Sequence, residues 1–100
     1  MTIFLITGSN RGLGYELVNQ ITQDAGNHVY ATCRTPEKAD ALNALASDRK
    51  NITVVPLTVT DKASINDAMS LIQQSTDHID ILINNAGEST IRRSTTRPRY

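Results

Sequence analysis

One hundred residues, 39% hydrophobic and 20% charged, suffice for one small domain with a modest core, and no apolar run approaches the ~20 residues that a bilayer-spanning helix needs. The single cysteine, Cys33, excludes an internal disulfide, and the apolar residues 1–6 lack both a basic region before them and a small-residue cleavage site after them, so they read as a strand, not a secretory leader, in a cytosolic protein. The net charge of zero hides a split: residues 1–87 hold six Lys/Arg against nine Asp/Glu (−3), and residues 88–100 hold four Arg against one Glu (+3).

Residues 3–6 form a short continuous apolar run, the pattern of a strand buried on both faces. A glycine-rich turn follows, then a helical stretch with Leu13, Leu17, Val18 and Ile21 on one face, ended by Asp24-Ala25-Gly26-Asn27. Residues 28–33 read as the second strand. Thr35-Pro36-Glu37 then predicts a helix start, with a capping hydroxyl, a proline at the first helical position and an acid at the positive dipole end. Residues 52–57, rich in β-branched side chains, predict a third strand with Pro56 near its end, where a missing N–H does least harm. Thr60 or Asp61 caps a third helix carrying Ile65, Ala68, Met69 and Ile72. Residues 79–83 form a fourth strand, followed by Asn84-Asn85-Ala86-Gly87. Strands spaced by helices imply parallel pairing with right-handed crossovers. The fold expected is α/β: a Rossmann-type parallel sheet of order 3-2-1-4 with helices on both faces, ending after the fourth strand. Residues 1–87 would form this partial domain. Residues 88–100, showing neither helical nor strand period, would form a loose basic tail.

Thr7-Gly8-Ser9-Asn10-Arg11-Gly12-Leu13-Gly14 sits where the first strand meets the first helix. Free amide hydrogens and the positive end of the helix dipole favour an anion there, and a dinucleotide pyrophosphate needs that place. Glycines let the backbone turn tightly and approach phosphates that a Cβ would block. The spacing is Gly-x3-Gly-x-Gly, and a strand-to-helix turn with incidental glycines is the plainer alternative.

Two motifs, each at the end of its own strand, resemble those of the short-chain dehydrogenase/reductase family. Thr7-Gly8-x3-Gly12-x-Gly14 is similar to its cofactor fingerprint, and Asn84-Asn85-Ala86-Gly87 to its second motif. The resemblance covers residues 2–87, and the Ser9-Asn10-Arg11 turn with Ala31-Thr32-Cys33-Arg34 looks most like the carbonyl-reductase and C-factor-like branches. It implies that Gly12 and Gly14 face the pyrophosphate, that Thr7 ties the turn to the fourth strand, and that Asn85 braces the sheet. Ala86 and Gly87 would lie beside the adenine-side ribose. Thr58-Val59 stands where the family often has Asp-Val against the adenine amino group, so this contact would lack a charge.

NAD enzymes of doubly wound type place an acid at the end of the second strand to accept from the ribose 2′-hydroxyl. Arg34 holds that place, and a guanidinium there offers a 2′-phosphate a planar fork of donors. Arg11 could reach the same phosphate from the glycine-rich turn. Either arginine alone could be a solvated surface residue; together they favour NADP(H) over NAD(H). Cys33 reads as a small packing residue.

The family's hydride transfer uses a tyrosine with a lysine four residues later. Tyr15 is followed at that distance by Asn19, Tyr30 by Arg34, and Tyr100 is the last residue, so no catalytic residue carries over. A premature stop, a frameshift, an altered splice or a fragment would give such a chain. The fourth strand would then present an exposed apolar edge, open to self-association. The competing readings are an NADP-dependent carbonyl/alcohol oxidoreductase, inactive as this chain alone, and a non-catalytic NADP(H)-binding or self-associating module. Nucleic acid is not expected as a partner, because the basic tail offers only Tyr100 for stacking and the body is acidic. No membrane partner is expected either.

Overall fold

The computed structural model describes residues 1–85 and the backbone of residues 92–94. Strand β1 (Thr2–Ile6) leads through the glycine-rich turn into helix α1 (Gly12–Ile21), and β2 (Asn27–Cys33) leads through a single 3-10 turn (Pro36–Lys38) into α2 (Asp40–Asp48). Strand β3 (Ile52–Pro56), helix α3 (Lys62–Gln73) and strand β4 (Ile81–Asn84) follow, and a short β5 (Arg92–Ser94) completes the sheet.

The strand order is β3-β2-β1-β4-β5. β1 pairs in parallel with β2 and with β4, and β2 with β3, so the expected parallel core of order 3-2-1-4 is present. Because these four strands run the same way, their carboxyl ends share one edge of the sheet, where ligands bind in open α/β folds.

The near-continuous apolar runs of β1 and β2 follow from burial on both faces. On one face Val18 of α1 and Leu42 of α2 pack with Ile6, Val29, Ala31 and Ile83; on the other Ala68 and Ile72 of α3 pack with Leu5, Tyr30, Val55 and Ile79. Each fully buried aliphatic side chain contributes about 1.5–3 kcal/mol, so these two layers hold the strand ends in place. Leu13, expected on the apolar face of α1, is instead 51% exposed. It lies in the first turn, which overhangs the end of the sheet.

Two expectations about helix ends are corrected. Thr35 does not cap α2: its hydroxyl makes no capping bond, and Pro36 opens the 3-10 turn. Asn43 of α2 donates to the Pro36 carbonyl at 2.7 Å, fastening that turn. The end of α1 relies on partners from the α2–β3 connection, not on Gly26. Arg49 donates to the Asn19 carbonyl at 2.5 Å and to the Thr22 hydroxyl at 2.8 Å. Asn51 Nδ2 reaches the carbonyls of Thr22, Asp24 and Asn27 at 3.0, 3.2 and 2.9 Å. Asp61, by contrast, caps α3 as expected, accepting from the Ala63 N–H at 3.0 Å.

The largest correction concerns the segment expected to lack strand structure. Arg92–Ser94 pairs antiparallel with β4, setting Leu82 opposite Ser94, Ile83 opposite Arg93 and Asn84 opposite Arg92. The free β4 edge expected as a self-association surface is therefore occupied from Leu82 to Asn84. An apolar edge with unpaired N–H and C=O groups recruits any extended segment within reach, and three residues are too few to show a period-2 pattern beforehand. The rest of the expected tail lies outside the described residues.

Candidate functional site: a glycine cradle at the carboxyl edge of the sheet

Every described residue named from sequence as cofactor-binding falls at the carboxyl end of a parallel strand. Thr7 to Gly14 follow β1, Arg34 follows β2, Thr58 and Val59 lie just past β3, and Asn85 follows β4. Ala86 and Gly87 lie outside the described residues.

The turn after β1 is built by two left-handed glycines, Gly8 at φ 63° and Gly12 at φ 60°, a conformation that costs other residues roughly 1–2 kcal/mol. Gly14 is needed for a different reason. A Cβ on Gly14 would lie 2.1 Å from the Gly8 carbonyl oxygen and 2.7 Å from Asn85 Nδ2, whereas one on Gly12 would meet nothing within 4 Å. Gly14 thus lets the helix start close against the turn, and Gly12 leaves open space at its mouth. The first α1 amide to find a carbonyl is that of Tyr15, donating to Arg11 at 3.3 Å. The amides of Gly12, Leu13 and Gly14 precede the helical ladder and carry the positive end of its dipole.

Side chains from neighbouring strands hold this turn still. The Thr7 N–H donates to the Ile83 carbonyl at 3.1 Å. The Thr7 hydroxyl donates to Asn84 Oδ1 at 3.0 Å and accepts from the Asn85 N–H at 2.8 Å. Asn85 Nδ2 donates to the Gly8 carbonyl at 3.2 Å. Toward β2, the Ser9 N–H donates to the Thr32 carbonyl at 2.9 Å. The hydroxyls of Ser9 and Thr32 both donate to the Ile6 carbonyl, at 2.7 and 3.2 Å. Ser9, named from sequence as a cofactor residue, is fully buried, and its hydroxyl is committed to this buttress. Thr32 and Asn84 belong to the same support and were not named as site residues. A hydroxyl one residue before the end of a buried strand was the available signal for Thr32.

Around this cradle Asn10, Arg11, Leu13, Arg34 and Val59 are exposed. Neither Arg11 nor Arg34 joins an ion pair among the described residues, so both guanidinium groups are available to an anion. Thr58 is half-buried, its N–H held by the Ser64 hydroxyl at 2.8 Å. Cys33 is buried, and desolvation pushes its thiol up from the ordinary value. Glu37 adds to the rise and a hydrogen bond from the Thr35 backbone opposes it. A thiol so held packs and does not attack. The cradle suits a pyrophosphate: amide hydrogens, a helix start, room where a Cβ would stand, and two cations with no ion pair among the described residues. Among the described residues no group of His, Cys, Asp and Glu could hold a metal ion, and no helix is long and apolar enough to cross a membrane.

A parallel 3-2-1-4 sheet with this braced turn after β1 and an asparagine pair at the end of β4 defines a nicotinamide-dinucleotide-binding fold of the short-chain dehydrogenase kind. The chain belongs to the short chain dehydrogenase family, whose profile matches residues 2–97. Its likeness extends to the carbonyl-reductase branch. The NADPH-bound carbonyl reductase from chicken fatty liver superposes with a TM-score of 0.82 at 38% identity, over 90% of this chain and 36% of that one. The putative carbonyl reductase Sniffer of Caenorhabditis elegans gives 0.79 at 37% identity, over 86% and 37%. An uncharacterized oxidoreductase of Schizosaccharomyces pombe is 35% identical over 85% of this chain and 34% of its own length. The chain thus spans about a third of the length of such relatives.

Proposed function

We propose that this chain binds NADP(H), and that it is the cofactor-holding part of a cytosolic oxidoreductase moving hydride between the nicotinamide and a carbonyl or alcohol. The observation that carries the reading is the mouth of the turn at Gly12: a left-handed glycine at a helix start, with nothing within 4 Å of where its Cβ would stand. That open space leaves the amides at the helix start within reach of an anion. Gly12, Leu13 and Gly14 would hold the pyrophosphate through their N–H groups. Thr58 and Val59 would flank the adenine, as would Ala86 and Gly87 near its ribose.

Arg34 and Arg11 support the preference for NADP(H), since a 2′-phosphate gains a charge-assisted, two-pronged partner where a 2′-hydroxyl would not. The bound cofactor supplies hydride chemistry; the protein's residues here bind and orient it. No tyrosine of the sequence has a lysine four positions on, so the 100 residues alone are proposed to bind the cofactor without reducing a carbonyl.

Titration with NADPH and NADH tests this. NADPH should bind at least tenfold more tightly, and Arg34→Asp should reduce that ratio by about 10–100-fold, the worth of one charge-assisted bond. Saturable binding of neither cofactor at millimolar concentration, or an unchanged ratio in the variant, would overturn the reading. Ketone-dependent NADPH oxidation by the isolated chain would overturn the claim that it binds without turnover.

A further inference from the structure

We propose that Thr35 is a phosphorylation site for a proline-directed protein kinase, and that the phosphate placed there closes the 2′-phosphate subsite. The inference rests on the NADP(H) reading and adds its regulation.

Thr35 occupies the residue position directly after Arg34, at the carboxyl end of β2. Its side chain is exposed, and its hydroxyl is left out of the cap that the sequence suggested for it. Its carbonyl is used, accepting from the Lys38 N–H at 3.0 Å, so the backbone is fixed while the hydroxyl stays available. Its backbone, at φ −129° and ψ 81°, lies outside the helical region, which the following proline disfavours. The sequence Thr35-Pro36-Glu37-Lys38 sets a hydroxyl before proline with a base at the third position after it, the pattern that proline-directed kinases select. Of the three prolines, only Pro36 follows a hydroxyl residue; Pro56 follows Val55 and Pro98 follows Arg97.

In the step, the Thr35 hydroxyl oxygen forms a bond to the terminal phosphorus of a nucleoside triphosphate. The bridging P–O bond breaks, the nucleoside diphosphate leaves, and the hydroxyl proton passes to the kinase's base. The product carries nearly two negative charges and three acceptor oxygens. It would stand beside Arg34, the cation proposed to hold the cofactor's 2′-phosphate, claim that guanidinium and repel the incoming phosphate. Lys38 is the next cation along the turn and Glu37 its acid, so the local charge would swing from positive to negative. NADH, which lacks the 2′-phosphate, would feel little of this.

The test treats the full chain with ATP and an active proline-directed kinase, maps the product by mass spectrometry, and titrates both forms with NADPH and NADH. One phosphoryl group on Thr35, a rise in the NADPH Kd of about tenfold or more, and an NADH Kd changed less than about threefold are expected. Thr35→Ala should take up no phosphate and bind NADPH as the unmodified chain does, and Thr35→Glu should reproduce part of the loss. An unmodified Thr35 under a kinase that works on a control peptide would overturn the proposal. So would equal phosphate uptake by Thr35→Ala, or unchanged NADPH affinity in the phosphorylated chain. Failure of the unmodified chain to bind NADPH would sink the cofactor reading itself, and the gate with it.

Discussion

Replacing Gly14 by alanine should destabilise the chain more than the same change at Gly12, although Gly12 is the position with the unusual backbone. At Gly14 the added methyl would lie 2.1 Å from the Gly8 carbonyl oxygen and 2.9 Å from its carbon. These are backbone atoms that move only if the turn moves. Overpacking of this kind costs about 1–3 kcal/mol, and pushing the turn away strains the Asn85 to Gly8 hydrogen bond, worth about 1 kcal/mol. Against this, alanine within a helix gains about 1 kcal/mol over glycine. The net loss is about 1–3 kcal/mol, and a 2.1 Å approach to a backbone atom puts it at the upper end. At Gly12 the methyl meets nothing within 4 Å, so only the left-handed backbone counts, at about 1–2 kcal/mol. Urea unfolding followed by far-ultraviolet circular dichroism would rank the two, with both midpoints converted at a common m-value. A Gly14→Ala variant at least as stable as Gly12→Ala would refute the account of the turn as a sterically closed joint.

Three further outcomes are expected. Thr7→Val should cost about 2 kcal/mol in the same assay, because the lost hydroxyl both donates to Asn84 and accepts from the Asn85 N–H. Burial holds the His28 imidazole below its ordinary value, so below about pH 6.5 the unfolded chain takes up a proton that the folded chain resists. Stability should therefore fall as the pH drops through that region, and His28→Gln should fall less steeply when the midpoints are compared from about pH 7 to pH 5. Cys33 should react slowly with a thiol reagent at mildly alkaline pH and promptly once urea unfolds the chain, since desolvation raises its folded pKa; equal rates in both states would contradict its burial.

The parts legible in the sequence were those fixed by short-range rules. A buried run followed by Gly-x3-Gly-x-Gly can seat a helix start in few ways, and the structure puts that turn, Arg34, Thr58 and Asn85 along one edge. The parts not legible depend on partners far along the chain. Ser9 reads as a polar loop residue until β2 brings Thr32 beside the same Ile6 carbonyl. Thr35 looks like a cap because a hydroxyl before proline usually is one, but nothing local reveals that Pro36 opens a 3-10 turn. Leu13 fits the apolar period of α1, yet the sheet ends before reaching it. The β5 pairing depends on an unsatisfied neighbour, not on the composition of Arg92–Ser94.

The Asn51 side chain has a consequence for covalent processing. Asn51-Ile52-Thr53 spells the acceptor pattern for an N-linked sugar. Yet its Nδ2 shares two hydrogens among three carbonyls that join the end of α1 to the start of β2. An oligosaccharide on that nitrogen would remove one hydrogen and drive a bulky branch into the corner. Once folded, the chain keeps this acceptor nitrogen engaged in hydrogen bonds, and a copy sugared while still unfolded could not close the joint.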